Sequence, residues 1–194
     1  MRCERGVAAI AGLALASTAP GALAHTFGAA GAGFGAGVGH PFLGLDHLAA
    51  MVAIGVWAAQ AGWRPVWSVP LVFMAVMALG AALAFAGVTL PAVEAGVAAS
   101  LLVLGLLVAA AVRLPVSAGA VIAALFAVLH GHAHGSEIPQ ALAPWLYVTG
   151  FVLATGVLHV AGIVAGRLWV VQRPWLARVA GLALTAGGAW MLWT

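Results

Sequence analysis

An all-α bundle of membrane-spanning helices is the fold predicted by composition, segment length and the placement of prolines. The chain has 194 residues, of which 65% are hydrophobic and 6% charged, too little polar surface to cover a soluble globule of this size. Six apolar segments follow one another, at residues 41–62, 65–86, 91–112, 115–134, 142–165 and 175–193. Each is near the roughly 20 residues needed to cross the hydrocarbon core of a bilayer. Pro41, Pro65, Pro91 and Pro115 each open a segment. Proline is tolerated in a first helical turn, where its missing donor would have no partner anyway, so these residues mark helix starts.

Taken in order, residues 1–24 have the layout of a cleavable secretory signal: a basic start with Arg2 and Arg5, an apolar run over 6–16, and a small-residue end at Ala22-Leu23-Ala24. An uncleaved first span fits less well, because the run is short for a full crossing. Cleavage after Ala24 leaves His25 as the mature N-terminus. It also removes Cys3, the single cysteine, so any metal site has to use imidazole, carboxylate, thioether or backbone groups. Residues 25–40 are nearly all glycine and alanine, a periplasmic lead-in too small-sided to build a core. The four-residue spacing of Gly31, Gly35 and Gly39 would also let a short helix pack closely on a neighbour.

Residues 41–194 form the six-helix domain. With His25 outside, Arg64, Arg113, Arg167, Arg173 and Arg178 all fall on the cytoplasmic side, as the positive-inside rule requires, and Asp46, Glu94 and Glu137 fall toward the outer face. Trp63, Trp67, Trp169 and Trp175 are expected at the inner interface, and Trp145, Tyr147, Trp190 and Trp193 at the outer one, with Trp57 off both belts. The net charge of +3 therefore reflects topology; the chain has no lysine and no basic run, hence no nucleic-acid signature.

Two stretches carry the chemistry. In His40–Met51 (HPFLGLDHLAAM), the residues His40, Gly44, His47 and Met51 follow a 4-3-4 spacing that stacks them on one helix face, with Asp46 beside His47. In 129–137 (LHGHAHGSE), His130, His134 and Glu137 repeat at four and three. Both stripes lie near the outer ends of their helices. Charged or polar groups facing lipid there would cost several kcal/mol, so they are expected to face the bundle interior and share a cation. The plainer alternative is that they cap helices and bond across the bundle. Weaker candidates are Glu94, which also suits a first helical turn; His132, which reads as a solvent-facing loop residue; and Met51, more often core than ligand. His25 can chelate if it becomes the N-terminus. His159, deeper on the fifth segment, is either bonded to a backbone carbonyl or a second station on an inward path.

On the motifs HPFLGLDHLAAMVAIG and FAVLHGHAHGSE the chain resembles the HupE/UreJ family of bacterial membrane proteins. The resemblance implies a six-helix inner-membrane protein tied to hydrogenase or urease maturation and to nickel or cobalt uptake. It implies that His40, Asp46, His47, His130, His134 and Glu137 handle the metal. The His-Asp-His pattern is also similar to that of the broader nickel/cobalt permeases, with one residue more between His40 and Asp46.

The expected function is therefore a permease, not an enzyme, whose substrate is nickel or cobalt, with copper or zinc also compatible with these donors. Membrane lipid and metalloenzyme maturation proteins are its expected partners, and oligomeric state is left open. No Walker motif is present, so the membrane potential is the expected drive. Three rivals share the same residues: an intramembrane zinc-type hydrolase, a b-haem protein using His47 and His130 or another pair as axial ligands, and a metal store.

Overall fold

The computed structural model describes residues 33–64, 66–137 and 143–194. The expected signal segment, His25 and the first part of the lead-in lie outside them. All regular structure among the described residues is helical. Helix α1 (Phe34–Gly39) runs into a 3-10 turn (His40–Phe42), followed by α2 (Leu45–Ala61), α3 (Ser68–Phe85), α4 (Val93–Ala109), α5 (Val116–Ser136), α6 (Pro144–Ala165) continuing into a π turn (Gly166–Val170), and α7 (Pro174–Trp193). Each of the six expected segments holds one of the helices α2 to α7.

Among the described residues four helices, α3, α5, α6 with its π turn, and α7, are long and apolar enough to cross a membrane. A fifth span results if Phe34–Phe42 and α2 count together, although they are bent by 82°. Helix α4 is apolar but shorter, at 17 residues.

The first expected helix starts later than its proline suggests. Pro41 lies in the 3-10 turn, and Gly44 is extended at φ −98° and ψ 114°, so the helix proper begins at Leu45. His40 is consequently not on a common helical stripe with His47; the bend brings it back. The end of the lead-in is also more ordered than its composition suggests. Helix α1 docks on α6, where a Cβ on Gly37 would meet the Tyr147 carbonyl and one on Gly150 the Phe34 carbonyl. Two glycine-free surfaces could not approach so closely.

The same device zips the longer pairs. Helices α3 and α5 meet at Gly80 and Gly131, α2 and α6 at Gly55 and Gly162, and α4 and α7 at Gly105 and Gly181. With small residues at the contacts, dispersion between backbones replaces the side-chain burial that lipid does not reward. Gly62, at φ 70°, closes α2 in the left-handed conformation that ends helices.

The C-terminal ends of α2 and α4 share one end of the bundle. Trp57 Nε1 donates to the Val112 carbonyl at 2.9 Å, Trp63 Nε1 to Leu114 at 2.9 Å, and Gln60 Nε2 to Val108 at 3.1 Å. Val112 and Leu114 lie beyond the end of α4, where their carbonyls have no next helical turn to bond, whereas the Val108 carbonyl also accepts the Ala111 N–H at 3.2 Å. Trp63 is thus a buried clamp and not the belt residue expected, and Tyr147 likewise is fully buried. Trp67, Trp145, Trp169, Trp175, Trp190 and Trp193 are exposed on the bundle surface, as an interfacial role requires. Trp57→Phe is expected to lower the stability of the detergent-solubilised protein by about 1 kcal/mol, the net worth of its part-buried hydrogen bond to the Val112 carbonyl, with metal binding unchanged. Thermal unfolding followed by circular dichroism, beside a binding titration, checks both parts.

Candidate functional site

At the opposite end of the bundle, where α2 begins and α5 ends, four imidazoles form one contiguous cluster. The ring centroids of His40 and His134 are 4.7 Å apart, those of His134 and His47 4.5 Å, and those of His47 and His130 5.1 Å. Two carboxylates lie at its edge. His40 Nε2 pairs with Glu137 Oε2 at 2.8 Å, and His47 Nδ1 with Asp46 Oδ1 at 3.0 Å. Exposure falls steadily inward: the Glu137 side chain is 49% accessible, His40 20% and His47 12%, whereas His130 and His134 are fully buried. The six main candidates from the sequence are therefore brought together.

Local structure explains the spacing in each stretch. In α5, His130 and His134 are one turn apart and face the cluster; Gly131 and Gly135, also one turn apart, face α3. His132 points a third way, and its Nε2 bonds to the Val88 carbonyl at 2.7 Å in the connection after α3. It is buried on a helix, not the solvent-facing loop residue expected. In α2, Asp46 sits in the first turn, where a carboxylate complements the helix dipole, and its Oδ1 also accepts the His47 backbone N–H at 2.8 Å.

Hydrogen bonding orients the rings. His47 Nδ1 is held by Asp46, and His130 Nδ1 donates to the Phe126 carbonyl at 3.0 Å. This leaves Nε2 of both rings buried without a hydrogen-bond partner, together with both nitrogens of His134. An imidazole anchored through Nδ1 with Nε2 free is the usual preparation of a metal ligand. In this conformation the rings pack on one another, and among the described residues no three histidine or carboxylate side chains converge on a single ion position. The close ring contacts also leave no slot for a macrocycle between His47 and His130.

The remaining candidates lie apart. Glu94 is exposed at the start of α4, beside a recess shared with Trp190 and Thr194. Met51 is fully buried one turn below His47, and its carbonyl accepts from His159 Nδ1 at 2.8 Å. His159 is thus bonded to a backbone carbonyl, yet its Nε2 has no partner. A cavity of about 570 Å³ between α2, α4 and α7 includes Asp46 in its lining, but the rest of its wall is apolar, mostly alanine, valine and leucine with Trp190 and Met191, and brings no imidazole or second carboxylate to a cation there.

Sequence reasoning missed the frame around the cluster. Phe151 stacks on His134 at 5.0 Å, Tyr147 meets His40 at 5.8 Å, and Phe73 meets both His130 at 5.8 Å and His159 at 5.4 Å. The signal was present in α6, where Tyr147, Phe151, Thr155 and His159 recur every fourth residue and are all fully buried.

Comparison with known proteins identifies the family. The family profile described as HupE / UreJ protein matches residues 13–191. Protein HupE of Rhizobium leguminosarum bv. viciae is 45% identical over 158 residues, covering 81% of this chain and 83% of that protein. No solved structure matches. A family match over nearly the whole chain, both histidine stretches included, leaves one assignment: the chain belongs to the HupE/UreJ family.

Proposed function

We propose that the protein is a six-span permease of the bacterial inner membrane that carries a divalent transition metal, nickel or cobalt, from the periplasm inward to supply metalloenzyme maturation. One observation supports this above the others: His47 and His130 are anchored through Nδ1 and present unpartnered, buried Nε2 atoms toward a shared cluster with His134. Buried polar nitrogens without partners are costly, and a cation among them lowers that cost for all at once. The arginines support the orientation, because Arg64 and Arg113 lie at the end of the bundle opposite the cluster, which fits a cytoplasmic face.

In this reading Glu137 and His40 receive the hydrated ion at the more exposed rim. The rings then part, and His47, His130 and His134 replace its water, with Asp46 and Glu137 balancing charge. Inward movement of a divalent ion gains roughly twice 2.3 kcal/mol per 100 mV of membrane potential. These donors suit nickel and cobalt far better than magnesium or calcium.

The test is nickel binding to detergent-purified protein, parent beside a His47→Ala, His130→Ala double variant. The parent is expected to take up stoichiometric metal, and the double variant to lose affinity by about 100-fold or more, since even a single supporting group of a metal site is worth 10- to 100-fold. Equal binding by both proteins sinks the proposed site.

A further inference from the structure

Beneath the cluster the α3 and α6 faces meet in register. Phe73 and Met77 are one turn apart on α3, and His159 and Thr155 one turn apart on α6. The Phe73 ring touches His159 at 5.4 Å, and the Thr155 hydroxyl donates to Met77 Sδ at 3.9 Å. All four side chains are fully buried. The Met51 carbonyl fixes His159 Nδ1 as the donor, so Nε2 carries the lone pair and has no partner. Phe73 is also in contact with His130, so a single ring is the common wall of the cluster and this deeper place.

We propose that His159 Nε2, Thr155 Oγ1 and Met77 Sδ form a second, inner station for a partly dehydrated borderline-soft divalent cation. This rests on the uptake reading above and extends it inward. Imidazole, thioether and hydroxyl discriminate against magnesium and calcium. No carboxylate is among these donors, so the station holds the ion less tightly than the outer cluster does. Passage requires such an intermediate, favourable enough to enter and weak enough to leave. A histidine kept only to bond the Met51 carbonyl would need Nδ1 alone.

His159→Asn separates the two roles, because an asparagine amide overlays Nδ1 and can still donate to the Met51 carbonyl while the Nε2 lone pair is gone. The experiment compares parent and variant in nickel binding by titration and in nickel entry into proteoliposomes under an inside-negative potential. The variant is expected to bind nickel at the outer cluster like the parent and to lose about 10- to 100-fold in entry rate, the range for a group at a metal site. Entry at the parental rate would make His159 a structural donor and overturn the station, and so would loss of outer binding together with entry. A parent that neither binds nor passes nickel overturns the uptake reading, and the station with it.

Discussion

His134→Leu is expected to weaken nickel binding by about 100-fold and, in the same protein, to raise the stability of the metal-free fold. The His134 ring is fully buried, stacks on Phe151 at 5.0 Å and has no hydrogen-bond partner for either nitrogen. Each buried polar group left unpaired costs about 1–3 kcal/mol, whereas an apolar group of similar size has no such penalty. Leucine also gives up the aromatic stack with Phe151, worth about 0.5–1.5 kcal/mol. The balance favours the variant by about 1–2 kcal/mol, or roughly 2–4 °C in Tm per kcal/mol for a chain of this length. Nickel reverses the order: at 100 times the parental Kd it stabilises the parent by about 2.7 kcal/mol, but a variant that binds about 100-fold more weakly by only about 0.4 kcal/mol. Thermal unfolding with and without nickel should therefore cross over, the variant leading without metal and the parent with it. A metal-free variant less stable than the parent would mean that the His134 nitrogens are satisfied, and the argument for a poised metal site would lose its central residue.

How far the site could be read from the sequence differs between the two stretches. In α5 the spacing alone was sufficient, because an uninterrupted helix puts His130 and His134 one turn apart on one face. In α2 the same reasoning reached residues that do lie together in the fold, but by an incomplete route. Periodicity assumes a continuous helix from Pro41, but Gly44 breaks it, and His40 reaches His134 through an 82° bend that no helical spacing describes. Met51 and His159 show a different limit. Composition places both at depth in the membrane, yet which nitrogen of His159 is occupied depends on a carbonyl of α2 that sequence distance hides. Trp63 and Tyr147 mislead for the reverse reason: aromatic residues near helix ends usually sit in the interfacial belt, and here tertiary contacts draw them inside.

The glycines between the histidines of α5 lead to the second large expected effect, in Gly131→Ala. A Cβ at Gly131 would overlap the Met77 carbonyl and come within 2.7 Å of its carbon and 2.9 Å of its Cα, all backbone atoms of α3. Backbone cannot rotate away as a side chain does, so the two helices must separate. Overpacking of this kind costs about 1–3 kcal/mol in well-packed interiors, and the upper end applies where both surfaces are backbone. The displacement also carries function with it, because His130 adjoins Gly131 and Met77 lies in the deeper site. Moving α5 off α3 pulls His130 from Phe73 and from His47, 5.8 Å and 5.1 Å away by ring centroid. Gly131→Ala is thus expected to lower both Tm and nickel entry, although it removes no donor atom. The paired control is Gly187→Ala, on α7, where an added methyl meets nothing within 4 Å and both readouts should stay at the parental level. Parental stability and entry for Gly131→Ala would show that α3 and α5 are not held at the separation on which the whole cluster depends.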